Sequence, residues 1–184
     1  MNKKELRKMV RRAYVDLSDE YKKFADLNIS KNILSLDECK NADIIFCFVG
    51  IGNEIDTIPL IKKLIDMGKT VCVPLCDEDG NMKAAKIDSL DDLSPGFMDI
   101  PSPSSDATVI PSSDIGFSII PCLTCNKKGY RLGYGGGYYD RFFANNSSPG
   151  AIVCREETIF TAIPTSSHDI KFNLVVSERN IYRS

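Results

Sequence analysis

The stretch Asp43–Leu75, DIIFCFVGIGNEIDTIPLIKKLIDMGKTVCVPL, contains a complete strand–helix–strand unit. Asp43–Val49 is a short apolar run rich in β-formers, closed by Gly50 and Gly52. Continuous apolar character of this kind marks a parallel strand buried on both faces. Thr57–Met67 then places Ile58, Ile61, Leu64 and Ile65 at helical spacing, and Gly68 supplies the residue that ends a helix in a left-handed turn. Lys69–Leu75 returns to strand character. Two strands joined through a helix form a parallel βαβ unit.

Outward from this unit the same alternation continues. Upstream, Lys3–Leu17 is an amphipathic helix with Leu6, Met9, Val10, Ala13 and Leu17 on one stripe, and Ser18–Leu36 is a second, more weakly patterned helix with Leu27, Ile33 and Leu34 inward. Downstream, Met82–Ile87 is a strand or hairpin arm, Ser94–Ser113 a long Pro- and Ser-rich surface connection, and Gly116–Pro121 a third core strand. A helix is expected over Tyr138–Asn145, with strands at Gly150–Cys154 and Leu174–Ser177. The expected fold is an α/β single domain over residues 1–184, an open, mainly parallel sheet with helices on both faces. Ligands of such sheets bind beyond the carboxyl ends of the strands. Gly50–Glu54, Pro121–Tyr139 and the stretch after Cys154 are expected there.

Composition excludes several classes. A net charge of -2 and a pI near 5.5 argue against a nucleic-acid binder. No apolar run approaches the ~18 residues of a membrane span, and no apolar signal core follows the charged N-terminus, so a cytoplasmic monomer without membrane partners is expected. Seven cysteines in such a chain read as reduced thiols acting as small hydrophobes. Cys122 and Cys125 do form a CxxC, but a zinc site of that type wants a second pair. Cys72 and Cys76 flank Pro74 at the wrong spacing. His168, the single histidine, suggests no catalytic role.

Chemistry concentrates in Arg131–Arg141, RLGYGGGYYDR. Gly133, Gly135, Gly136 and Gly137 permit backbone angles closed to other residues and let amides approach an anion. A helix that starts directly afterwards adds its positive end. Arg131 can grip a phosphate in a bidentate manner, and Asp140 in the first helical turn can hold magnesium. The segment matches neither the GxxxxGK[ST] loop nor GxGxxG, since Tyr138 stands where the last glycine would fall. A plain glycine hinge flanked by packing tyrosines is the bland alternative.

RLGYGGGYYDRFF resembles the signature of the 5-formyltetrahydrofolate cyclo-ligase family. The early KKELR, Asn53-Glu54-Ile55-Asp56-Thr57, Ile119-Ile120-Pro121, and Ile163-Pro164 followed by His168-Asp169 are similar to family elements in the same order. The resemblance implies a ligase that uses ATP and Mg2+ to cyclise 5-formyltetrahydrofolate to 5,10-methenyltetrahydrofolate through a phosphorylated formyl group. It implies that Lys3, Lys4 and Arg7 contact ATP, and that Arg131, Gly133, Tyr134, Gly135, Gly136, Gly137, Tyr138 and Tyr139 form the nucleotide loop. Arg131 and Tyr138 would be catalytic. Val49, Glu54, Tyr134 and Tyr138, with Gly135–Gly137, would hold the folate, and Asp140 and Asp169 the metal. Blander roles exist for each: a solvated basic face for Lys3 and Arg7, core packing for Tyr139, a helix or turn cap for Glu54 and Asp169. Asn173, Gly50-Ile51-Gly52 and Cys154-Arg155-Glu156-Glu157 depart from the family pattern. Rival functions on a similar fold are a sugar-phosphate isomerase and a non-catalytic nucleotide- or folate-binding protein.

Overall fold

The computed structural model describes residues 1–144, 146 and 148–184. Helix α1 (Lys3–Asp16) opens with a capping box, in which the Asn2 side chain accepts from the Glu5 amide while Glu5 accepts from the Asn2 amide. Helix α2 (Asp19–Ser35), capped by Ser18, and the short α3 (Asp37–Asn41) lead into strand β1 (Ile44–Cys47). Helix α4 (Ile58–Asp66) and strand β2 (Thr70–Cys76) complete the expected βαβ unit, with Ile44 opposite Thr70 in parallel register. Gly68 ends α4 at φ 78°.

Strand β3 (Met82–Ile87) returns antiparallel to β2. The Pro- and Ser-rich connection is more ordered than expected: it holds the two-residue strands β4 (Ser94–Pro95) and β5 (Pro101–Ser102), paired together, and β6 (Val109–Ile110), paired with β3. Strand β7 (Phe117–Ile120) lies beside β1. A small hairpin follows, β8 (Thr124–Cys125) with β9 (Arg131–Leu132), and then helix α5 (Tyr138–Phe143). This helix is shorter than expected, and Asn145 falls outside the described residues. Strands β10 (Gly150–Val153) and β11 (Leu174–Val176) are parallel, and β12 (Ile181–Arg183), absent from the sequence reading, adds an antiparallel edge.

The eight sheet strands run β12-β11-β10-β7-β1-β2-β3-β6. The chain order reverses at β1, which has β2 on one side and the later β7 on the other. A ligand crevice opens where strands diverge in this way. Side chains alternate with the period of two that a doubly covered sheet requires. Ile45, Cys47, Val71, Val73, Phe117 and Ile119 face α2, α3 and α4, whereas Phe46, Cys72, Ile120 and Ile152 face α5 and Phe172. The second face thus carries one six-residue helix and loops instead of a full helical layer.

Two inward assignments change. On α1 the buried stripe is Leu6, Val10 and Tyr14, and Met9 is exposed. It packs on Leu123, Leu132 and Ile163, off the sheet. On α2 the buried residues are Ala25, Asp26, Ile29 and Ile33, while Leu27 points to solvent. A carboxylate in the core stripe hid this face from its hydropathy pattern.

Candidate active site

A cavity of about 940 Å³ lies at the carboxyl ends of β1 and β7. Phe48 and Val49, just after β1, and Pro121 and Leu123, after β7, form its apolar floor. Every expected site residue except Lys4 lines it. Lys4 sits on the outward side of α1, because one residue along a helix turns about 100° away from Lys3. Lys3 and Arg7, one turn apart, both face the cavity, and so does Arg11, which the sequence did not single out.

The glycine segment is shaped by arginines. Gly135 and Gly137 have φ of 120° and 70°, values that strain any residue with a Cβ. A Cβ on Gly136 would meet the Tyr138 ring at 2.8 Å. Arg7 Nε donates to the Gly133 carbonyl at 2.9 Å. Arg141 Nη2 donates to the carbonyls of Gly136 (2.8 Å) and Gly80 (2.7 Å). Cationic side chains thereby satisfy these carbonyls, and Lys3, Arg7, Arg11 and Arg131 bring positive charge to the cavity lining. Arg131 is buried, donates from Nη2 to Asp140 at 2.8 Å, and lies over the Tyr139 ring at 5.6 Å. The Tyr138 hydroxyl donates to the Asp77 carbonyl at 3.1 Å, and its ring faces the Arg141 guanidinium. Tyr139 also packs on both faces of the core, edge-on to Phe46.

Both candidate metal ligands carry cationic partners. Lys3 Nζ bridges the two oxygens of Asp169 at 2.6 Å each, and the Ser166 amide donates to the same carboxylate. Burial acts to raise the Asp169 pKa, but these bonds outweigh it and hold the carboxyl below its usual range. Asp140 and Asp169 both line the cavity, and their hard carboxylate oxygens are the donor type Mg2+ takes, with phosphate oxygens and waters to complete its shell. His168 is exposed, and its Nδ1 lies 3.4 Å from the Ser167 hydroxyl.

Glu54, beside Tyr134 of the glycine loop, is half-buried and accepts from the Ile51 amide at 3.0 Å. Burial raises its pKa, with the Ile51 and Tyr134 hydrogen bonds acting in the other direction. Its loop is pinned from behind. Arg155 Nη1 donates to the Asn53 carbonyl (2.8 Å) and Nη2 to the Glu54 carbonyl (3.0 Å). Two further bonds join Arg155 to Asp26, and Asp26 accepts from the Asp56 amide. Gly50 is fixed by contact, since a Cβ there would stand 1.9 Å from the Ile55 carbonyl oxygen. Arg155 and Asp26 escaped the sequence reading. A lone Asp in a helix carries no sign of a partner 129 residues away.

A mixed, mainly parallel sheet with a positively walled cavity at its reversal point defines a small-molecule enzyme of the α/β class. The model of the 5-formyltetrahydrofolate cyclo-ligase family matches residues 1–178, and the chain belongs to that family. It is similar in structure to a 5,10-methenyltetrahydrofolate synthetase from Aquifex aeolicus, with a TM-score of 0.88, 28% identity, and coverage of 100% of this chain and 93% of that one. The 5-formyltetrahydrofolate cyclo-ligase of Escherichia coli is 33% identical over 107 residues, 56% of this chain and 59% of that protein. The enzyme of that name from Mycolicibacterium smegmatis is 24% identical over 149 residues, 72% of each chain.

Proposed function

We propose that the protein cyclises 5-formyltetrahydrofolate to 5,10-methenyltetrahydrofolate, with ATP converted to ADP and phosphate. The observation that carries this reading is that Lys3, Arg7, Arg131, the glycine loop and Glu54 all line one cavity, which offers cations and a hydrogen-bond-accepting carboxylate to the same bound ligands. Such a cavity receives a polyanion at one end and a ring bearing N–H donors at the other. The γ-phosphoryl group moves to the formyl oxygen and turns a poor leaving group into phosphate. N10 of the folate then attacks the formyl carbon, and phosphate departs as the ring closes. Phosphoryl transfer of this kind depends on positioning and charge stabilisation and requires no side-chain nucleophile.

Arg131 and Tyr138 are the catalytic residues in this reading, as groups touching the transferred phosphate. The open amides of Gly135–Gly137 and the Lys3 and Arg7 cations orient the triphosphate. Val49 and Tyr134 offer apolar and aromatic surface to the pterin, and Glu54 accepts hydrogen bonds from its amidine edge. Asp140 and Asp169 would hold Mg2+, which spreads the charge of the triphosphate when bound.

The test is the absorbance of the methenyl product on mixing protein, 5-formyltetrahydrofolate, ATP and magnesium. Product should form, and should require both ATP and magnesium. Folded protein that binds either ligand without turnover would defeat the proposal, as would turnover without ATP.

A further inference from the structure

We propose that Cys122, Cys125 and Cys154 form a three-thiolate site for one zinc ion behind the glycine loop. The CxxC lacks a second pair in the sequence, and the fold supplies the third sulfur from the end of β10. The three Sγ atoms lie within 4.8 Å of one another, and none is in a disulfide. Two thiolates on one zinc stand about 3.8 Å apart, given Zn–S bonds of ~2.3 Å. Each sulfur pair therefore needs to close by no more than about 1 Å. All three residues are buried, with exposures of 7%, 0% and 1%. The Thr158 hydroxyl, 3.4 Å from Cys154 Sγ, borders the place for a fourth oxygen ligand, its own or a water's.

A zinc ion with three thiolates carries one net negative charge, which a buried site must offset. Arg131 lies opposite Cys125 in the β8–β9 ladder, and its Nε is buried without a hydrogen-bond partner among the described residues. The ion would join the exits of β7 and β10 to the hairpin that presents Arg131, bracing the back of the cavity.

The test uses the full chain, reduced and incubated with zinc alone, then passed over a weak chelating resin and analysed for metal. One zinc per chain is expected, and Cys125→Ala and Cys154→Ala should each lose it. Cys39→Ala, which alters a buried thiol on the opposite face of the sheet, should retain it. Cobalt(II) in the wild-type protein should show thiolate-to-metal charge-transfer bands, a measurement that needs no variant. Background metal and no such bands in fully reduced wild type would overturn the proposal. So would unchanged stoichiometry in both variants.

Discussion

Arg155 and Asp26 form a buried two-point ion pair, with Nε to Oδ1 at 2.8 Å and Nη2 to Oδ2 at 2.9 Å, and this pair fixes the loop that carries Glu54. The geometry satisfies the carboxylate on both oxygens and uses two further guanidinium hydrogens on two loop carbonyls. A buried ion pair of this sort contributes order more than net stability, since desolvation offsets much of the attraction. Removing one member leaves the other charged and unpaired in the core. Arg155→Met should therefore cost about 3–5 kcal/mol, seen as a fall in Tm of roughly 6–20 °C for a domain of this size. The pair Asp26→Leu with Arg155→Met should recover part of that loss and yet keep a raised KM for folate. A double variant with normal folate KM would show that the pair does not position the loop.

Glycine geometry gives a second expectation. Gly137→Ala places a Cβ at φ 70°, and 2.7 Å from Arg141 Nη1. The left-handed backbone alone costs about 1 kcal/mol. Turnover should fall by more than stability does, because in the proposed reading the displaced amides orient the triphosphate. Denaturant unfolding alongside steady-state rates separates the two, and equal small effects on both would argue that the loop is only a hinge.

Lys3 and Lys4 are adjacent in sequence and differ in place. Lys3→Met should raise the KM for ATP, because Lys3 faces the cavity and pairs with Asp169. Lys4→Met should leave that KM within about twofold, the range of a screened surface charge. Equal effects from the two substitutions would place the nucleotide elsewhere.

Asp140→Asn keeps the shape of the side chain and removes its charge. The fold should persist, because the side chain is partly exposed and Arg131 can still donate to the amide oxygen. Activity should drop strongly, and the magnesium concentration for half-maximal rate should rise. Near-normal rates at low magnesium would remove Asp140 from the metal site.

Glu54 gives a pH signature. Burial raises its folded-state pKa above the ordinary 4.5, so the folded chain holds that proton more tightly than the unfolded chain. The resulting stability is fully present below 4.5 and is lost as pH rises through the folded-state value. Glu54→Gln should flatten the stability curve in that window and weaken folate binding at neutral pH. Thermal melts across mildly acid pH check the first effect, and a curve identical to wild type would show that Glu54 is not held in a desolvating environment.

The sequence by itself determined the elements whose signals are local. Asp43–Leu75 specifies its βαβ unit because apolar runs and helical periodicity lie within a few residues of each other, and Gly68 marks the helix end through its own backbone freedom. The resemblance carried by Arg131–Arg141 likewise depends on contiguous residues. Tertiary structure alone decided the rest, because those outcomes depend on partners far apart in the chain. Asp26 reads as a surface residue until Arg155 meets it, and it shares the buried stripe of α2 with Ile29, while Leu27 is exposed. The strand β12 is only three residues long, too short to mark itself as a strand, and exists through pairing with β11. Cys154 joins Cys122 and Cys125 only because β10 lies beside β7. Side-chain chemistry is written in the chain, but the free energy of burying a charge or clustering three thiols is set by what the fold places around them.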